Sequence, residues 1–125
     1  MHATYIAELR NGNIAGFKYL DFGEEAVPAT VRMLVSPGEN DGEAAVWIDA
    51  PTEAQGGKQI ASISLSKADC ESAAEKEDGT DGMVWSWVGS EVQEPVTGLH
   101  GVYFVFASEA DGIICSFDQF AFAKD

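Results

Sequence analysis

This chain is short of basic residues, cysteine and long apolar runs, and each shortage removes a class of function. Seven Lys plus Arg stand against 21 Asp plus Glu, a formal net charge of −14. A field of that sign repels phosphate backbones and anionic headgroups, which argues against nucleic acid and membrane surfaces as partners and disfavours uronic-acid-rich polymers. Neutral ligands feel little of it, and divalent cations are attracted. Two cysteines, Cys70 and Cys115, make no disulfide framework, and their spacing matches no metal signature. They read as free thiols, with Cys115 on a strand. No window approaches the ~18 apolar residues of a membrane span. The opening MHATYIAEL has no basic start, apolar run or small-residue cleavage site, so an exported form would be a mature chain or a piece of a longer one.

Catalytic punctuation is also missing. There is no Gly-x-Ser-x-Gly, His-Glu-x-x-His or phosphate loop. The carboxylates fall mostly in turns and in one helix-like segment, where nothing would hold a hydrolytic pair together or raise the pKa of one member. The acidic loops ENDGE and EDGTDG do not follow the spacing of a calcium loop and read as solvated turns. No enzyme is expected from these residues.

What the chain does have is aromatic alternation between turns. In GLHGVYFVFASEADGIICSFDQFAF, Val102, Phe104 and Phe106 share one strand face, and Ile114, Phe120 and Phe122 share one parity of the next. Turn signals recur at NGN (11–13), FGEE (22–25), SPGENDGE (36–43), APTEAQGG (50–57), EDGTDG (77–82) and EADG (109–112). Between them we read strands near 3–9, 14–22, 29–35, 44–49, 58–65, 84–92, 101–107 and 113–123. Short strands at regular spacing imply an all-β sandwich or jelly roll, in one domain over residues 1–125. A domain of that length buries roughly two thirds of the surface its unfolded form exposes. One segment breaks the rhythm: SKADCESAAEKE, Ser66 to Glu77, offers a Ser-x-x-Asp cap and good helix formers. It reads as a short surface helix with Lys67, Glu71, Glu75 and Lys76 toward solvent.

The run YIAELRNGNIAGFKYLDFG resembles family 6 carbohydrate-binding modules, in which a Tyr-Ile pair, an Asn/Gly turn and an aromatic-Lys-x-hydrophobic-Asp-Phe-Gly strand follow one another. AVWIDAP, GLHGVYFVF and SFDQFAF look like later strands of that family, in the same order, over about residues 3 to 123. The AGFKYLDF wording is most similar to modules attached to family 43 glycoside hydrolases, which trim xylan and arabinan side chains. The resemblance implies a galactose-binding-like sandwich, a carbohydrate ligand, a glycoside hydrolase catalytic domain as partner, and an extracellular or cell-surface setting. In the family, further strands precede the Tyr-Ile segment and often supply Glu ligands for a structural calcium. Here they are missing.

Sugars pack their axial hydrogens on aromatic faces and are oriented by a few polar groups. The resemblance implies stacking at Tyr5 and at a Trp of the WSWV strand, where Trp85 and Trp87 share parity and Trp85 is preferred as nearer the loop. Ser116 aligns with the family's third ligand contact, an Asn, and offers a shorter reach. Gln119 and Asn13 are substitutes for it. Trp47 is read as filling the space between the sheets, with an outward sugar platform as the other reading. Asp118 takes the family's calcium position, and Ca2+ is the one cofactor the resemblance raises. His100 lies in the Gly-x-His turn, which the family uses structurally. A second reading stays open: a sandwich without sugar binding that packs against a partner glycosidase domain, favoured by Ser116 in place of Asn and by the missing strands.

Overall fold

The computed structural model describes residues 6–22, 30–38, 40–71, 73, 76–78, 84–93, 96–109 and 112–123. Among these, β1 (Ile6–Leu9), β2 (Ile14–Asp21), β3 (Thr30–Pro37), β4 (Glu43–Ile48), β5 (Lys58–Ser64), β6 (Lys76–Asp78), β7 (Val84–Glu91), β8 (Leu99–Ala107) and β9 (Cys115–Ala123) follow in chain order. A short helix, α1 (Lys67–Glu71), lies between β5 and β6. The strands form two antiparallel sheets, ordered β1-β9-β3-β7-β6 and β2-β8-β4-β5. This is the expected β-sandwich. Among the described residues no helix is long and apolar enough to cross a membrane.

Alternation decides which side chains meet between the layers. Val31, Met33 and Val35 of β3, Ala44, Val46 and Ile48 of β4, and Val102, Phe104 and Phe106 of β8 all belong to one core. All seven phenylalanines of the chain lie in that core or pack against it. Phe104 is fully enclosed and meets Phe17, Phe117 and Phe120 edge-on at centroid distances of 5.9, 5.1 and 5.0 Å. A Phe ring has no polar edge to satisfy, so complete enclosure loses it nothing.

The parity read for the last strand needs a correction. Ile114 precedes β9 rather than lying on it, and Phe117 joins the core together with Phe120 and Phe122. The register explains this. Leu34 faces Gln119 while Val35 faces Phe117, so Asp118 is an extra residue and the strand changes phase there.

The expected 66–77 helix is also shorter than read. Among its described residues Lys67–Glu71 is helical, and Lys76–Asp78 pairs with β7 as a short edge strand. The cap is as anticipated: Asp69 N–H donates to Ser66 Oγ at 3.1 Å, and Ser66 N–H donates to Asp69 Oδ2 at 3.3 Å. Hydroxyl donation from Ser64, then Ser66, lowers the Asp69 pKa. The segment is not an excursion, because Cys70 is buried in the core and α1 packs on β3 and β7. It carries the chain from the edge of one sheet to the edge of the other.

The sheet edges are short or irregular. β1 has four residues and β6 three. The pairing of β2 shifts between Phe17 and Leu20, and that of β5 shifts opposite Val46 and Trp47.

Candidate functional site

The residues outside the core divide between two outer faces. On the five-stranded sheet, Trp85 and Trp87 share the face opposite Val88, which is in the core. Ser116 shares that face because it alternates with the enclosed Cys115 and Phe117. The structure therefore brings three of the expected site residues to one surface. Tyr5 lies outside the described residues.

That surface is largely spoken for. Trp85 is 1% exposed, and Leu34, on the same face, is fully enclosed. The preference for Trp85 as a stacking ring is thus corrected, since it has no free π-face to offer. Trp87 is half-buried, with the Arg32 guanidinium 4.8 Å from its ring centroid and its indole N–H donating to Glu77 Oε2 at 2.8 Å. One face and the polar handle of Trp87 are already engaged within the protein.

The four-stranded sheet differs. Trp47 alternates with Ala44, Val46 and Ile48, all core residues, and so points outward, against the inter-sheet position read for it. Its Cα partners are Tyr103 on β8 and Gln59 on β5, and Tyr103 in turn faces Gly16 on β2. A complete row, Gly16-Tyr103-Trp47-Gln59, crosses the outer face. Both rings are half-buried. The Tyr103 ring lies down over Gly16: a Cβ there would meet its Cδ1 and Cε1 at 3.1 Å. On the other side it approaches Gly101, where a Cβ would meet the ring at 3.4 Å. Two glycines let the phenol lie flat beside the indole.

Further along the same strands, the next outward row is Ile14, Val105, Ala45 and Ser62. After it come Ala107, Glu43 and Ser64. Ser62 Oγ donates to Glu43 Oε2 at 3.2 Å. This end opens into a groove of about 700 Å³ lined by residues that include Asp41, Glu43, Ser64, Ser108 and Glu109. The face therefore runs from an aromatic row to a polar, acidic end.

Tyr103 is the functional candidate that the sequence reading missed. Its signal was available: with Val102, Phe104 and Phe106 inward, Tyr103 must face out, and glycine precedes it at 101. Asn13 is occupied in the β1–β2 turn, its Oδ1 accepting from Arg10 N–H at 2.7 Å. Gln119 is exposed beside Leu34 on the five-stranded sheet. Asp118 occupies the β9 irregularity, and among the described residues no group of three His, Cys, Asp or Glu side chains could hold a metal ion.

His100 closes the end of the inter-sheet layer beside Phe22, at 6.1 Å between ring centroids. Its Nδ1 is 2.7 Å from Asp49 Oδ1, and its Nε2 is 2.7 Å from the Thr97 carbonyl oxygen. The Asp49 hydrogen bond is the main cause of a pKa raised above the usual imidazole value, with burial opposing it. Burial pushes the thiols the same way: Cys115 up to about 12 and Cys70 up to about 11.

No family model and no curated protein matches the chain. Solved structures share its fold. One is a family 6 carbohydrate-binding module whose binding sub-sites were dissected by crystallography and calorimetry, at TM-score 0.66 and 20% identity over 94% of this chain and 71% of the other. A second is a family 6 module from Clostridium stercorarium in complex with cellobiose, at 0.66 and 19%, with the same coverages. A third is a family 43 arabinoxylan arabinofuranohydrolase from Bacillus subtilis in complex with cellotetraose, at 0.70 and 22%. It is matched by 94% of this chain over 20% of its own length.

Proposed function

We propose that this chain is a non-catalytic carbohydrate-binding module for neutral plant polysaccharide of the xylan or arabinan type, working as the accessory of a glycoside hydrolase. The observation that carries this reading is the Trp47–Tyr103 row on the outer face of the four-stranded sheet, two adjacent aromatic side chains at the surface of a rigid platform. The shared fold with modules that bind saccharides supports it. Stacking on the rings supplies the affinity, and Gln59, Ser62 and Glu43 orient hydroxyl groups. The acidic end and the net charge of −14 select against uronate-bearing chains. Weak binding is multiplied by attachment to a catalytic domain. A loop-end contact through Tyr5 is a second place for sugar, one that does not use the Arg32-covered ring of Trp87. In the same proposal, calcium at Asp118 would take oxygens other than those of a described carboxylate cluster.

The test is calorimetric titration of xylo-, arabino- and cello-oligosaccharides into the protein and into Trp47→Ala and Tyr5→Ala. Saturable heat lost in Trp47→Ala supports the sheet-face site, and loss in Tyr5→Ala alone moves binding to the loop end. Flat curves at millimolar sugar end the reading.

A further inference from the structure

The contacts of His100 have a consequence for pH. Its two ring nitrogens each face an oxygen that can only accept, the Asp49 carboxylate and the Thr97 carbonyl, both at 2.7 Å. A neutral imidazole has one N–H, so it can satisfy one of these partners and must turn a lone pair on the other. Only the imidazolium makes both bonds. The geometry is that of a cation held between two acceptors.

The surrounding backbone is shaped for this. Asp49 leaves β4 with φ +72°, a left-handed conformation that costs a non-glycine residue free energy, and its N–H donates to Gly101 O at 2.9 Å. Gly98, at φ +84°, turns the chain beside Thr97, whose carbonyl oxygen meets the ring at Nε2, and Gly98 O accepts from Phe22 N–H at 2.8 Å. Three segments distant in sequence therefore converge on one side chain: the end of β4, the turn before β8, and the end of β2. Among the described residues, the other charged groups on the neighbouring ladder positions are Asp21, whose Cα partner is Leu99, and Lys58, whose Cα partner is Ile48. Of the charged groups, Asp49 is the one that acts on the ring.

We propose that Asp49, His100 and Thr97 form a pH-sensitive clasp that fastens the ends of β4 and β8 while His100 carries both ring protons and opens when one is lost. Trp47 lies two residues before Asp49 and Tyr103 three after His100, so the clasp fastens the two strands that bear the aromatic row. The sign follows from linkage. The folded-state pKa is raised above the unfolded value, so the stabilisation is fully present below about 6.5 and is lost as pH rises through the folded value. His100 is 24% exposed and Asp49 49%, and solvent screening keeps the effect modest.

The clasp does not rest on sugar binding, and every readout is taken without ligand. In a His2→Ala background, which leaves His100 as the only imidazole, long-range 1H–15N spectra follow both ring nitrogens against pH. Two protonated nitrogens at pH 6 and a titration above roughly 6.5 are expected, with a lower midpoint in Asp49→Asn. Asn tolerates the left-handed conformation, so that variant should fold. His100→Gln should lower Tm by about 2–5 °C at pH 5.5, the difference narrowing on the alkaline side. A single neutral tautomer at pH 6, a wild-type midpoint at or below 6.5, or an unchanged midpoint in Asp49→Asn overturns the clasp. Should His100→Gln not fold, the spectra of the His2→Ala protein and of Asp49→Asn decide it.

Discussion

Both sheets turn tryptophan outward, and the rings meet different surroundings. On the five-stranded sheet Trp85 is enclosed, and Trp87 lies under Arg32 with its N–H tied to Glu77. On the four-stranded sheet Trp47 stands beside Tyr103, which rests on Gly16 and approaches Gly101. Neighbour size and charge make the difference. A guanidinium and a carboxylate consume the indole on one side of the molecule, whereas glycines on the other leave room for rings to lie along the sheet. Exposure of an aromatic side chain is thus decided by the partners across the ladder as much as by its own parity.

The largest effect that bears on this contrast comes from a ring belonging to neither face. Phe104→Ala should cost about 3–5 kcal/mol in denaturant unfolding, because it empties the centre of the inter-sheet phenylalanine cluster. If the variant stays folded in the cold, its sugar affinity should be near that of the parent, which separates core rings from surface rings. Trp47→Ala comes next. Loss of one stacking face, about 2 kcal/mol, should weaken oligosaccharide binding roughly thirtyfold with little change in Tm. Trp87→Ala should do the reverse, lowering stability by about 1 kcal/mol through the lost Arg32 and Glu77 contacts while leaving the isotherm unchanged. An equal affinity loss in both tryptophan variants would break the contrast. Gly16→Ala sharpens it: the new methyl meets the Tyr103 ring at 3.1 Å, tilts it, and should reduce affinity roughly threefold. The smallest expected signal is chemical. With Cys115 at about 12 and Cys70 at about 11, native protein at pH 8 should resist iodoacetamide until it is unfolded, as followed by mass spectrometry.

Much of the architecture was legible because period-2 alternation in β3, β4 and β8 reports directly which side chains enter the core. The expected strands lie within a few residues of their observed ends, except that the first five residues are outside the described set. Local composition failed where pairing partners decide. The phase change at Asp118 exists only opposite Leu34 and Val35, so a single parity through Ile114, Phe120 and Phe122 left Phe117 out of the core. Lys76–Asp78 looks helical in isolation and becomes a strand because β7 offers an edge. Trp47 was assigned inward on residue type, although its own alternation pointed out. Ser116 and Trp87 were read as ligand contacts from the resemblance, but the enclosure of Trp85 and the hold of Arg32 and Glu77 on Trp87 were not legible. The His100–Asp49 contact, 51 residues apart, could not be read from spacing at all.

The borders of both sheets carry a consequence for how the molecule tolerates company. β1 and β6 have only four and three residues, and the pairings of β2 and β5 are interrupted. Among the described residues, none of the four margins presents a long uninterrupted row of open backbone donors and acceptors for another copy to zip onto. Strong mutual repulsion from the surplus of carboxylates adds to this, so crowded copies are pushed apart rather than drawn into aggregates.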